Sequence, residues 1–249
     1  MNAVDCSGIR KYFGSGDMRV EALRETDFEA RLGELTFIVG PSGSGKTTLL
    51  SVVAGLLDLQ EGSLCVLGSD MRTLSNGERL TFRRQNIGFL FQQYNLLPAL
   101  TAVENVAVPL IAAGQRRKIA LERAETLLES VGLGERLAAL PSELSGGQQQ
   151  RVAMARALVH EPKLVICDEP TAALDHKTGD TVMNLLATHA LKPDRAVIVV
   201  THDTRLLRFA HRIAHMDDGR IVKTELAVGS WQSTGDPTAP ANCLLHTAN

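Results

Sequence analysis

Gly40-Pro41-Ser42-Gly43-Ser44-Gly45-Lys46-Thr47 is the stretch that decides the fold. It follows the short apolar, partly β-branched run ELTFIV (34–39) and opens KTTLLSVVAG (46–55), where apolar residues recur at helical spacing. Strand, glycine-rich loop and helix come in that order, the context that the pattern G-x-x-x-x-G-K-[ST] requires. The glycines let the backbone turn so that successive N–H groups point inward and meet phosphate oxygens at the positive end of the helix. Lys46 is expected to reach the β/γ-phosphates, the Thr47 hydroxyl to help hold Mg²⁺, and Thr48 to join the phosphate-binding set.

Further along the chain, KLVICDE (163–169) and AVIVVTH (196–202) read as buried parallel-type strands. The helical HKTGDTVMNLLATHALK (176–192) between them completes a βαβ unit. A strand ending in Asp168-Glu169 puts one carboxylate near the metal and the next near the water that must attack the γ-phosphorus. Asp168 is accordingly the expected Mg²⁺ partner and Glu169 the candidate general base; taken alone, paired acids at a strand end could equally serve to solvate a turn. Residues 4–13 and 18–30 read as two strands around Gly14 to Asp17, with SLCVLG (63–68) and NIGFLFQ (86–92) as further strands. From 93 to 160 helical periodicity takes over, with Pro98, Pro109 and Pro141 as punctuation. RIAHMDDGRIVKTEL (212–226) reads as a hairpin turning at Asp218-Gly219. The expected organisation is one nucleotide-binding domain over 1–228, its core at 1–92 and 161–228 and a helical insertion at about 93–160. The Ser/Thr/Pro/Gly-rich segment 229–249 reads as a loosely held tail.

With 249 residues and 44% hydrophobic content the chain can bury a sizeable core without staples. Its 26 Lys+Arg against 28 Asp+Glu give a net charge of −2, which does not suit a protein whose main business is a polyanion, so no nucleic-acid partner is expected. Cysteines at 6, 65, 167 and 243 form no C-x-x-C pair, arguing against a disulfide framework or a zinc site and for a reducing compartment. MNAVDCSGIRKYF lacks the apolar core of a signal peptide, and no window approaches the roughly 18 apolar residues of a spanning helix.

The most specific feature is Leu144-Ser145-Gly146-Gly147-Gln148, followed at once by QQRVAMARALVHEP. Ser145 and two glycines at a helix N-terminus make a second anion-binding nest. Because LSGGQ lies just before the strand ending in DE, the sequence resembles the ATP-binding cassette family, over about residues 3–228. The resemblance implies an α/β fold: a P-loop NTPase (RecA-like) core with an N-terminal antiparallel β subdomain and an inserted α-helical subdomain. It also implies ATP and Mg²⁺ as cofactors. Ser145 lies 98 positions after Thr47, yet one γ-phosphate needs only one complete cage. In the resembled family two copies form a head-to-tail homodimer on ATP binding, so that the 145–148 nest, Ser145 and Gly147 foremost, closes on ATP held by Lys46 of the other subunit.

The resemblance assigns further positions one at a time. Tyr12, in RKYFGSG, corresponds to the aromatic that stacks on adenine, with Phe13 a neighbouring competitor and a plain strand aromatic the structural alternative. Gln92, ending GFLFQ, matches the glutamine that ligates Mg²⁺ or its water and joins that site to the helical insertion. Asp175, in TAALD, matches the loop that communicates across the dimer, although Ala172-Ala173 departs from the residues often found there. His202, after VIVVT, matches the histidine that contacts the γ-phosphate and orients the water for Glu169; the other histidines read as structural.

FQQYNLLPALTAVENVAVPL, PSELSGGQQQRVAMARAL and DEPTAALD are similar to bacterial lipoprotein-release, macrolide-export, cell-division and glycolipid-export cassettes. That similarity implies a separate integral membrane subunit of permease type, no membrane span in this chain, and a cytoplasmic location peripheral to the inner face of the membrane. Tyr94, Leu96, Leu97 and Leu100 are placed to receive a partner helix, to anchor the insertion, or both. Three functions suit such a chain: transporter ATPase of export or mechanotransmission type, soluble cassette acting on DNA or ribosomes, and regulatory ATPase without cargo. The second usually needs two cassettes or a long coiled coil, which 249 residues do not hold; the first and third are not separated by sequence.

Overall fold

The structure, a computed structural model, describes residues 1–227. The segment expected to be a tail, 229–249, lies outside the described residues. In chain order the elements are β1 (Asn2–Phe13), β2 (Val20–Arg31), β3 (Leu35–Val39), α1 (Lys46–Val53), β4 (Glu61–Val66), β5 (Ser69–Asp70), α2 (Asn76–Asn86) and β6 (Ile87–Leu90). They continue with α3 (Ala102–Ala112), α4 (Arg117–Ser130), α5 (Gly146–Leu158), β7 (Leu164–Asp168), α6 (His176–Ala190), β8 (Ala196–Val200), β9 (Arg212–Asp217) and β10 (Arg220–Leu226).

Two sheets result. An antiparallel one has the order β2-β1-β4-β5, and a six-stranded one the order β10-β9-β3-β8-β7-β6. In the second sheet β9, β3, β8, β7 and β6 run parallel, and β10 closes the edge as the antiparallel arm of the expected hairpin. The short apolar runs serve here because both sheet faces are covered. Phe37, Val165, Cys167, Val197 and Val199 point into a core shared with α3 to α6, whereas Ile38, Ile166, Ile198 and Val200 point into a second core shared with α1 and the antiparallel sheet. Each such side chain contributes about 1.5–3 kcal/mol on burial.

Helical structure between 93 and 160 comprises α3, α4 and α5 and two short 3-10 turns, Gly134–Arg136 and Pro141–Glu143, with 91–100 irregular. That irregular stretch is held by two polar side chains, buried Asn105 and half-buried Arg156. Asn105 accepts from the Leu97 N–H and donates to the Leu97, Leu100 and Thr101 carbonyls, while Arg156 donates to the Tyr94 and Asn95 carbonyls. Tyr94 and Leu96 pack on the helical core, whereas Leu97 is exposed, so the expected apolar set is divided between anchoring and solvent. Pro109, expected as a break, lies inside α3 near its end. Helix α2 had no apolar periodicity to announce it and buries no residue; a reciprocal Ser75/Glu78 capping box starts it.

Candidate active site

Parallel strands deliver their carboxyl ends to one edge of the sheet, where open α/β sheets bind ligands. The pairings Ile38↔Val200, Asp168↔Val200 and Leu90↔Cys167 level those ends. The loop after β3, the acids ending β7, His202 after β8 and Gln92 after β6 thereby share one rim. A cavity of about 670 Å³ opens there, lined by Ser42, Gly43, Gly45 to Thr48, Gln92, Glu169 and His202, with Ala22 and Val200 as apolar wall.

The loop's path demands glycine at two points. Gly45 has φ +100°, and a Cβ there would stand 2.6 Å from the Ala22 carbonyl oxygen; one at Gly40 would stand 2.0 Å from that of Met216. Lys46, buried, donates from Nζ to the Gly40 and Pro41 carbonyls at 2.9 and 2.7 Å, curling its ammonium over the loop. Ser44 is buried beneath the loop rather than lining the cavity.

The Thr47 hydroxyl lies 3.3 and 3.2 Å from the two Asp168 carboxylate oxygens. Burial pushes the Asp168 carboxyl above its ordinary range, Thr47 pulls it back, and the neighbouring Glu169 charge pushes it up again. Glu169 occupies the left-handed region at φ +50°, a conformation that costs on the order of 1–3 kcal/mol in a non-glycine residue. His202 Nδ1 lies 2.9 Å from its Oε1, joining the two strand ends across the cavity.

Other expected residues lie outside the cavity lining. Tyr12 donates its hydroxyl to Glu61 at 2.6 Å, which holds the phenol above its usual range, and Arg19 lies over its ring at 3.4 Å from the centroid. Neither Tyr12 nor Phe13 lines the cavity. Ser145 is the N-cap of α5: its Oγ accepts from the Gln148 N–H at 3.3 Å while the Gln148 Oε1 accepts from the Ser145 N–H at 2.9 Å. None of 145–148 lines the cavity of its own chain. Asp175 caps α6, accepting from the Thr178 N–H and hydroxyl, which lowers its carboxyl below the usual range.

A family profile described as ABC transporter matches residues 23–172, more than half of the chain. The chain belongs to the ABC transporter family. It is an ATPase cassette of that family, with the expected α/β P-loop fold. It is 44% identical, over 214 residues, to an uncharacterized ABC transporter ATP-binding protein of Thermotoga maritima, covering 86% of this chain and 91% of that protein. It is 42% identical over 243 residues to the macrolide export ATP-binding/permease protein MacB of Escherichia coli K12, covering 97% of this chain and 37% of that one. The chain thus spans only about a third of the macrolide export relatives it matches. Among solved structures, a dimeric ATP-binding cassette in a post-hydrolysis state with ADP and Pi matches with a TM-score of 0.82 at 40% identity, covering 90% of this chain and 98% of that one. Among the described residues no helix is long and apolar enough to cross a membrane.

The donor set fits Mg²⁺. Thr47 and Gln92 present hard oxygen atoms in the cavity lining, and Asp168, which is not itself part of that lining, presents its carboxylate beside the Thr47 hydroxyl. Among the described residues no cluster of three or more acidic, His or Cys side chains exists that would suit a caged metal. Mg²⁺ held by one carboxylate, a hydroxyl and substrate phosphates needs none.

Three contributors, Ala22, Val200 and Asn105, escaped the sequence reading. Ala22 and Val200 are apolar strand residues with nothing to mark them as cavity wall. Asn105, which pins the loop after Gln92, did carry a signal: it is a buried amide within the apolar run VENVAVPL.

Proposed function

We propose that this chain binds ATP in the described cavity, pairs with a second copy around two ATP molecules, and hydrolyses them to drive a separate integral membrane subunit in export or mechanotransmission. The observation that carries this reading is the placement of two phosphate nests in one chain. Ser42, Gly43 and Gly45 to Thr48 line a cavity with Glu169 and His202, whereas the capped 145–148 nest lies outside it with Ser145 exposed and Gly147 buried. A dimeric structure among the relatives supports the pairing.

In this reading Lys46 exchanges its two carbonyl partners for β/γ-phosphate oxygens, and Tyr12 meets the adenine once Arg19 yields its place. Thr47, Gln92 and Asp168 would hold Mg²⁺, which when bound neutralises charge on the β- and γ-phosphates. Glu169 accepts a proton from water as the water oxygen bonds to the γ-phosphorus; the bond from that phosphorus to the β–γ bridging oxygen breaks, leaving ADP and phosphate. His202, against Glu169, orients the carboxylate and meets the γ-phosphate. Ser145 to Gln148 of the second copy complete the cage, and Asp175 lies at the surface that passes the closure between subunits. The loop at 91–100, tied to α3 and α5, carries the change from Gln92 into the helical segment, where exposed Leu97 offers a contact for the membrane subunit.

Glu169→Gln is expected to retain ATP binding, trap a dimer, and lower turnover by about 10²–10⁴-fold. Size exclusion with ATP–Mg²⁺ and a phosphate-release assay read both effects, and parental turnover would remove the base assignment. Co-purification with an integral membrane protein tests the partner; stable association with ribosomes or DNA alone would reject it. A regulatory role without cargo is the second reading, because the similarity to cell-division cassettes carries it equally.

A further inference from the structure

Gln150 lies two residues past the LSGGQ pentapeptide, on α5, and is fully buried. Its Nε2 donates to the Pro170 carbonyl at 2.5 Å, and Pro170 directly follows Glu169. That acceptor fixes the amide's orientation, since only the NH₂ group can face a carbonyl oxygen. The other end of the amide, Oε1, is buried with no hydrogen-bond partner among the described residues. Filling this space would be done better by leucine or methionine, which leave no polar atom orphaned. What the amide adds is the bond to Pro170.

That bond reaches a turn with few other restraints. The Glu169 N–H donates to the Val200 carbonyl, and the Glu169 carbonyl accepts from the Ala172 N–H. Proline has no N–H, so the Pro170 carbonyl is the remaining backbone handle next to Glu169. A left-handed glutamate persists only where its surroundings over-determine it. The same helix end presses on the segment that follows: a Cβ on Gly146 would lie 3.5 Å from Leu174, and one on Gly147 2.4 Å from Thr178.

We infer that Gln150 is a positioning residue: by holding the Pro170 carbonyl it keeps Glu169 in attacking geometry and couples Glu169 to the LSGGQ nest of its own subunit. The inference rests on the proposed roles of Glu169 as base and of the nest as the lid on the partner's ATP. Closure of the nest over one nucleotide then moves α5, and Gln150 passes that movement to the base serving the other nucleotide.

The test uses Gln150→Met and Gln150→Leu in the full chain, each alone and with Glu169→Gln. Turnover in the single variants is expected to fall about 10- to 100-fold, the effect of an ångström-scale misplacement of a reacting group. KM for ATP is expected to stay within about twofold, the signature of an interaction used in the transition state. In the Glu169→Gln background the ATP concentration that traps the dimer is expected to be unchanged, because Gln150 then has no base to position. Parental turnover in both variants overturns the proposal. So does loss of the trapped dimer, or failure of both variants to fold, since either assigns Gln150 to general support. Parental turnover in Glu169→Gln alone marks the different failure, that of the base assignment.

Discussion

Gly147→Ala places a methyl group 2.4 Å from Thr178 Cγ2, whereas ordinary contact begins at 3.4 Å, so α5 and α6 must separate by about 1 Å. Thr178 cannot swing aside cheaply. Its hydroxyl and N–H both bind Asp175, at 2.6 and 3.1 Å, and that pair caps α6. Overpacking of this kind costs about 1–3 kcal/mol, while alanine's better helix propensity returns up to about 1 kcal/mol. The net loss is about 1–2 kcal/mol, or roughly 2–8 °C in melting temperature for a chain of this size. Thr178→Ser removes Cγ2 and keeps the hydroxyl on Asp175; the next atom, Thr178 Cβ, is 3.8 Å away and fits. Gly147→Ala is therefore expected to destabilise the protein when Thr178 is retained, and to be neutral or stabilising when combined with Thr178→Ser. Thermal melts of the parent, the two single variants and the double variant, without nucleotide, read the coupling directly. An equal effect of Gly147→Ala in both backgrounds would refute the reasoning, because the predicted clash would not be what limits the position. Turnover should drop by up to about 100-fold in Gly147→Ala, since the displaced nest is part of the proposed cage.

Lys46→Ala removes a cation expected to make charge-assisted bonds to phosphate, each worth about 1.5–3 kcal/mol; loss of one such bond should weaken ATP binding by about 10- to 150-fold, measured by equilibrium titration. Unchanged affinity would count against the role of this loop. Asp168→Asn should abolish Mg²⁺-dependent turnover yet raise the melting temperature of the nucleotide-free protein at neutral pH. The sign follows from the raised folded-state carboxyl: its protonated form is favoured by folding below the unfolded-state value, and that contribution is lost as pH rises through the folded-state value. The gain from the substitution is therefore expected at neutral pH and should vanish under acid conditions, where the parent carboxyl is already neutral; a gain independent of pH would exclude burial of the charge as its cause.

Much of this site could be read before the fold was known because its parts are short and contiguous. The 40–48 loop needs glycine where its Cβ would strike the Ala22 and Met216 carbonyls, and Asp168, Glu169 and His202 follow short apolar runs that read as buried parallel strands and are so. Relations across the chain were less legible. Nothing local says that Gln150 reaches Pro170 or that Arg156 holds the carbonyls of Tyr94 and Asn95, because those pairs meet only after α5 packs on the sheet. Helix α2 stayed hidden because no residue of it is fully buried and only Phe82 packs, half-buried, on the core, so its Ser75-x-x-Glu78 signature was the clearest cue. Tyr12 shows the limit from the other side: the resemblance makes it the aromatic that stacks on adenine, yet it stands outside the cavity lining, with Arg19 over its ring and Glu61 holding its hydroxyl.

The pairing of two copies is tested most directly by crosslinking between different molecules. Ser42, in the phosphate loop, and Ser142, just before the second nest, are both exposed. Protein carrying Ser42→Cys is mixed with protein carrying Ser142→Cys, both with Glu169→Gln and with Cys65 and Cys243 replaced by serine, and treated with a short bifunctional thiol reagent. A covalent dimer is expected that forms with ATP and not without nucleotide. Persistent absence of that dimer at saturating ATP would contradict the pairing.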